Sequence, residues 1–237
     1  HAVDPTEAIA AGHASVEHIV SLFEGPVVRA VRAGKTQIEA IAEFTDEKAA
    51  ALARLMAERG AYFDPTLIAY WSRSFQWDLL AVPDPRERYV AASYREYWKQ
   101  FRDLPDRPEV RKLLAQAFDR FLQITRIAHR ERVKFLAGTD YLILGFGLHD
   151  ELKWLVQAGL TPAEALAAAT RNAAESAGQI RRLGTIEPGK IADLVLLDAN
   201  PLADIANTSR IAAVIAAGHL YDRAALDAIL ERVAQAA

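Results

Sequence analysis

The sequence predicts an α/β protein in two parts. Up to about residue 180, short apolar runs alternate with amphipathic helical patterns, which argues for parallel strands joined by helices. From Leu183 onward the pattern becomes short β-rich runs around a Pro-Gly turn, so a small β module is expected to be attached to the first part.

The elements follow in order. Pro5 to Ala11 reads as a short helix stopped by Gly12, and Ala14 to Ile19 as a short strand ending at Glu17-His18. A helix is predicted from Asp46 to Arg59. Leu52, Leu55 and Met56 share one face, Asp46 and Glu47 sit in the first turn, and Gly60 is the stop. AYFDPTLIAY reads as a strand interrupted by Pro65. Residues 71–132 are rich in aromatic and charged side chains and read as a long insertion, with helices around Pro85–Arg102 and Glu109–Arg132. VKFLAGTD is a buried strand with a polar end, and a loop with Gly145 and Gly147 follows it. His149 to Ala158 is a helix with Leu152, Leu155 and Val156 inward and Gly159 as its cap. Thr161-Pro162-Ala163-Glu164 is a capping box that starts another helix, expected to run to Gly178. LGTIE and IADLVLLD, joined at Pro188-Gly189, predict a β-hairpin. IAAVIAAG is a further strand, and the last helix starts near Asp222.

Composition excludes several classes of function. The 237 residues carry 28 basic and 31 acidic side chains, a net charge of −3, so no basic field points to nucleic acid. No apolar run approaches the roughly 18–20 residues of a membrane span. Cysteine is absent, which removes disulfides and thiolate chemistry and fits either a reducing or an oxidising compartment. No signal peptide is visible in a chain that opens on His1, so the compartment stays open.

Four side chains stand out for chemistry. Asp140 ends a strand ahead of a loop, the position where α/β barrels carry catalytic groups; an Asp after Gly-Thr also commonly caps a turn. His18 ends a strand after Glu17. Imidazole is the usual ligand of a divalent transition metal, whereas a lone His is more often satisfied by a neighbouring carbonyl. His1 stands at the terminus, where a tag remnant is the plain alternative. His149, after a glycine loop, either binds a substrate carboxylate or caps its helix. Trp71, Trp77, Tyr89, Tyr94 and Trp98 are equally suited to packing and to a pocket.

Taken together, the blocks SVEHI, FLAGTD, GLHDELKWLVQAGLTPAEALAAATRNAA and LGTIEPGKIADLVLLDANPLADIANTSRIAAVIAAG resemble the amidohydrolase superfamily. The likeness is to the imidazolonepropionase-like branch that also holds dipeptidases. It runs from His1 to about Arg223 and is dense from residue 133 onward. The resemblance implies a (β/α)8 barrel with one or two divalent metals, most of all zinc, at the strand C-terminal ends, and a small β-sandwich made from segments before and after the barrel. Metal ligands in that pattern come from an HxH pair on the first strand, a Lys or Glu on the fourth, a His on each of the fifth and sixth, and an Asp on the eighth. His1 matches the fifth-strand His, His18 the sixth and Asp140 the eighth, and residues 183–222 match the returning strands of the sandwich. The HxH pair and the fourth-strand ligand have no match in this chain.

The implied fold is therefore the C-terminal half of a TIM-like metal-dependent hydrolase barrel plus part of a β-sandwich. Residues 1–182 would form the half-barrel with the insertion at 71–132, residues 183–222 the sandwich strands and residues 223–237 a terminal helix. The implied activity is hydrolysis of C–N bonds in a small-molecule amide, dipeptide or cyclic amide, with His1, His18 and Asp140 on the metal and Asp140 as general base. A deaminase of the same superfamily and a non-catalytic half-barrel scaffold are the alternatives. An open half-barrel would be catalytically dead by itself and would expose edges that favour homo-oligomers.

Overall fold

The computed structural model describes residues 3–23, 33–34, 44–99 and 106–237. Its first layer is a parallel sheet of very short strands: β1 (Ser15–Glu17), β2 (Tyr62–Asp64) and β3 (Lys134–Phe135), in the order β1-β2-β3. Ser15, Val16 and Glu17 stand opposite Tyr62, Phe63 and Asp64, and Tyr62 and Phe63 stand opposite Lys134 and Phe135. All three strands fall where the apolar runs predict them and run in the predicted sense.

Helices cover this sheet. α1 (Pro5–Ala10) precedes β1. α2 (Asp46–Arg59) follows it with the predicted bounds, because the local signals agree. Thr45 caps its N-terminus, acidic residues fill the first turn, Arg59 lies in the last, and Gly60 closes it at φ 67°. Its buried face is Ala49, Leu52, Ala53 and Met56.

Between β2 and β3 come α3 (Leu67–Ser74), α4 (Gln76–Ala81), a 3₁₀ turn over Pro85–Tyr89, α5 (Ala92–Lys99) and the 23-residue α6 (Pro108–Arg130). The expected helix over Pro85–Arg102 is thus split at Val90, and its last residues, 100–102, lie outside the described residues. The expected strand over AYFDPTLIAY ends at Asp64: Pro65 removes a ladder donor, and the chain turns into α3. α6 buries Phe118, Phe121, Ile124, Thr125, Ile127 and Ala128, a continuous i, i+3, i+4 stripe. All of these but Thr125 join Phe63, Phe135, Met56, Leu155 and Ala165 in one core cluster.

After β3 come α7 (Phe146–Gln157), α8 (Pro162–Ala169) and α9 (Arg171–Ser176). The capping box at Thr161 forms in both directions: the Thr161 N–H donates to Glu164 Oε2 at 2.7 Å, and the Glu164 N–H donates to Thr161 Oγ1 at 3.2 Å. The helix expected to run on to Gly178 breaks at Thr170 (φ −129°, ψ −87°), whose hydroxyl donates back to the Leu166 carbonyl at 2.7 Å.

The second layer is antiparallel: β4 (Leu194–Leu197), β5 (Ile211–Ala216) and β6 (His219–Asp222), in the order β4-β5-β6, followed by α10 (Arg223–Ala236). This corrects the predicted hairpin. Glu187-Pro188-Gly189-Lys190 does form a turn, with Gly189 at φ 88° and the Lys190 N–H donating to the Glu187 carbonyl at 3.2 Å. Its flanks form no pair of strands, however, and are joined by the Ile191 N–H donating to the Arg182 carbonyl at 2.8 Å. Gly184 adopts φ 91° where a Cβ would fall 2.4 Å from the Ala174 Cβ and 3.2 Å from the Thr170 carbonyl oxygen, and LGTIE forms no strand. The hairpin that forms is β5–β6, closed by Ala217 (φ 50°) and Gly218 (φ 81°), the two positive φ values of a type I′ turn.

Candidate active site at the strand ends

Beyond the C-terminal ends of the parallel strands lie three non-glycine residues with positive φ. His18 (φ 63°) directly follows β1, Thr66 (φ 48°) comes two residues after β2, and Asp140 (φ 39°) stands past β3. Such backbone costs of order 1–3 kcal/mol per residue and persists only where the surroundings over-determine it, which is characteristic of functional sites. Thr66 is β-branched, so its strain is the least tolerable of the three.

The surroundings supply that determination. The His18 N–H donates to the Asp64 carbonyl at 2.8 Å, and the Ile19 N–H to the Pro65 carbonyl at 3.1 Å, so the end of β1 is bolted to the DPT segment after β2. The His18 ring then meets Thr66 across this seam: Nδ1 lies 3.0 Å from the Thr66 hydroxyl. With Nδ1 engaged, Nε2 is the ring nitrogen that this bond leaves over.

Asp64 ties β2 to the loop that carries Asp140. Its Oδ1 accepts the Gly138 N–H at 2.7 Å, and the Leu136 N–H donates to the Phe63 carbonyl at 2.9 Å. Gly138 is required by space here: a Cβ would fall 2.2 Å from Asp64 Oδ2. Asp64 is buried and stands opposite Glu17 in the strand register. Burial pushes its pKa up to about 6. The Gly138 N–H bond opposes this, the Glu17 carboxylate adds to it, and the His18 ring works against it.

One further carboxylate lies behind this layer. Glu151 in α7 is fully buried, and its two oxygens accept the N–H groups of Leu67 at 3.0 Å and Ile68 at 2.7 Å, at the start of α3. Burial pushes its pKa up to about 8, against the pull of those two bonds.

Asp140 is exposed and borders a cleft of about 600 Å³ lined also by Ala69, Tyr70, Ser72, Arg73, Tyr94, Tyr97 and Trp98. The five aromatic residues that the sequence left between packing and pocket divide here. Trp71 packs on Phe75 and Trp154, Trp77 lies under Arg111, and Tyr89 stacks on Phe146, whereas Tyr94 and Trp98 line the cleft.

The predicted site residues are therefore placed as follows. His18 and Asp140 both lie past the ends of parallel strands, on either side of β2. His1 lies outside the described residues. His149 sits in the first turn of α7, where Gly145 is the N-cap residue, and its Nδ1 is 3.1 Å from the Thr208 hydroxyl. Burial lowers its pKa, partly offset by the charge of Asp150. His149 thereby links α7 to the 3₁₀ turn Ile205–Ser209 of the second layer. The donor types fit a divalent metal in kind: one imidazole whose second ring nitrogen is held by a hydrogen bond, and a carboxylate at a strand end. In number they fall short, since among the described residues no three His, Asp or Glu side chains are grouped to hold a metal ion.

Asp64, Thr66 and Glu151 were missed by sequence reasoning. A signal for Glu151 exists. It lies with Leu148, Leu152 and Leu155 at i, i+3, i+4, i+7 spacing, so a carboxylate sits inside the apolar stripe of a helix.

Known proteins resemble this chain over most of its length. The chain matches the model of the amidohydrolase family over residues 6–221. A bottromycin amidohydrolase superposes on the whole of this chain with a TM-score of 0.71 and 25% identity, and 51% of that protein is covered. A Xaa-Pro dipeptidase with bound methionine in its active site matches 92% of this chain with a TM-score of 0.56 and 26% identity, and 42% of the dipeptidase is covered. An imidazolonepropionase from Geobacillus kaustophilus (strain HTA426) is 58% identical over 40 residues, which is 17% of this chain and 9% of that enzyme. The chain thus spans about half the length, or less, of these two solved structures. It belongs to the amidohydrolase family.

Proposed function

We propose that this chain forms the second half of a (β/α)8 barrel in a hydrolase of C–N bonds, and that β1, β2 and β3 are its last three strands. The observation that carries this reading is the row of strained residues His18, Thr66 and Asp140 past consecutive parallel strand ends, in a chain of the amidohydrolase family. The β4–β6 sheet leaves Val195, Leu196 and Leu220 56%, 47% and 66% exposed, which suits a sandwich that other segments complete.

In this reading His18, through Nε2, and Asp140 would hold a divalent metal together with His1 and with ligands from elsewhere in the full-length protein. When bound, such a metal supplies a water of lowered pKa and polarises the scissile carbonyl. This chain's residues do the rest. Thr66 fixes the ring plane of His18. Asp140 accepts a proton from the attacking water and returns it to the leaving nitrogen as the C–N bond breaks, so a carboxylate suffices and no side-chain nucleophile is needed. The aromatic cleft beside Asp140 receives the substrate, and Arg73, which has no ion-pair partner among the described residues, offers its guanidinium to a substrate carboxylate.

The test is turnover by the full-length protein against libraries of dipeptides and cyclic amides, with metal analysis of the same preparation. Release of amine and acid with bound metal supports the reading. Release of ammonia alone would favour a deaminase, and a metal-free inert protein a scaffold. The 237-residue chain by itself is expected to be inactive, since part of the ligand set and of the barrel wall lies elsewhere.

A further inference from the structure

Glu151 is an expensive way to start a helix. A carboxylate taken wholly out of water costs several kcal/mol unless its bonds compensate, and a local cap does the same work at the surface for about 1 kcal/mol. The residue in the capping position of α3 is Thr66, a good capping type, yet its side chain makes no bond to the helix. Its hydroxyl is turned instead to His18 Nδ1, 3.0 Å away. The N–H groups that would have been left open at the start of α3 are taken by Glu151 from 84 and 83 residues away in sequence.

We propose that Glu151 is a positioning residue for the His18 imidazole: it takes over the capping of α3, which frees the Thr66 hydroxyl and holds Thr66 in the left-handed conformation that aims it at the ring. This rests on the reading of His18 as a functional side chain. Three links then fix the ring: the two hydrogen bonds from the first turn of α3 to Glu151, the peptide bond that joins that turn to Thr66, and the hydrogen bond between Thr66 and Nδ1. The same ring nitrogen would otherwise rotate to any nearby acceptor, and a half-turn of χ2 would take Nε2 off the site.

The link is measurable without turnover. Full-length protein labelled with ¹⁵N gives the His18 ring nitrogen signals and the exchange rates of the Leu67 and Ile68 amides. In Glu151→Gln at least one of those amides should exchange about tenfold faster or more, because the NH2 that replaces one carboxyl oxygen cannot accept its N–H. The His18 ring signals should move with them. In Thr66→Val the ring signals should move in the same way while both amides keep their exchange rates. Faster amide exchange in Glu151→Gln with His18 signals unchanged would reduce Glu151 to a helix cap and overturn the proposal. If Glu151→Gln does not fold, Thr66→Val decides: unmoved ring signals there break the chain at its second link. A failure of the hydrolase reading is distinguishable, since it gives no turnover while all these signatures remain as described.

Discussion

The two sheets of this chain invert the usual relation between regularity and function. β4, β5 and β6 have four, six and four residues, an ordinary type I′ turn and antiparallel pairing, yet no residue of the three strands is buried. β1, β2 and β3 have only three, three and two residues, but Phe63 within β2 and Ile19 just past β1 are fully buried, and beyond their C-terminal ends sit three strained residues, with two carboxyls pushed toward neutrality nearby. Strain and buried charge are sustained where packing over-determines the backbone. The solvent-facing sheet has no such support and carries its positive φ values only in the hairpin turn that needs them.

Substitutions should separate the two regions sharply. The largest effect is expected at the strand ends. Asp140→Asn in the full-length protein should lower turnover by about 10²–10⁴-fold, the range of a lost general base, while urea denaturation stays within about 0.5 kcal/mol because the side chain is exposed. Gly138→Ala comes next. Its Cβ would fall on Asp64, so the AGTD loop must shift; a loss of about 1–3 kcal/mol by urea denaturation is expected, accompanied by a drop in turnover.

A pH series sharpens the comparison further. Glu151 holds its proton up to about pH 8 when folded but only to about its ordinary 4.5 when unfolded. The folded chain therefore binds more protons at this group between these values, so the contribution of Glu151 to stability is greatest below pH 4.5, falls as pH rises toward 8 and then levels. Asp64 acts in the same sense up to about pH 6. Glu151→Gln should flatten the fall between pH 6 and 8, leaving only the Asp64 contribution below it. Denaturation midpoints at pH 5, 6.5 and 8 check this, and an unchanged slope in the variant would speak against a buried carboxyl at 151. The smallest effect belongs to the second sheet: Val195→Ser, at a side chain 56% exposed, should change stability by no more than about 0.5 kcal/mol in this chain.

What the sequence made legible follows the same division of causes. Helix α2 was readable to the residue because Thr45, Asp46, Glu47, Arg59 and Gly60 are local signals that all agree. His18 was readable as a strand-end polar residue, whereas the strand expected to run to Asp140 closes at Phe135 and leaves Asp140 on the loop beyond it; both residues were also marked by the resemblance. The Pro188-Gly189 turn was readable as a turn but not as a failed hairpin, because the close approach of Gly184 to Ala174 is a tertiary fact. Thr66 was hidden by its neighbour: Pro65 marked a break in the strand, and nothing local says that the next side chain faces His18. Glu151 was hidden by distance, since its partners are 83 and 84 residues away.

The central claim is that the ends of β1 and β3 form part of a metal-dependent hydrolytic site, and the metal content of the full-length protein tests it most directly. Wild-type and His18→Asn proteins would be dialysed identically, and bound metal and turnover measured on the same samples. The account predicts bound divalent metal in the wild type and the loss of at least one equivalent, together with turnover, in His18→Asn at an unchanged melting temperature. Equal metal content and equal turnover in the two proteins would contradict it.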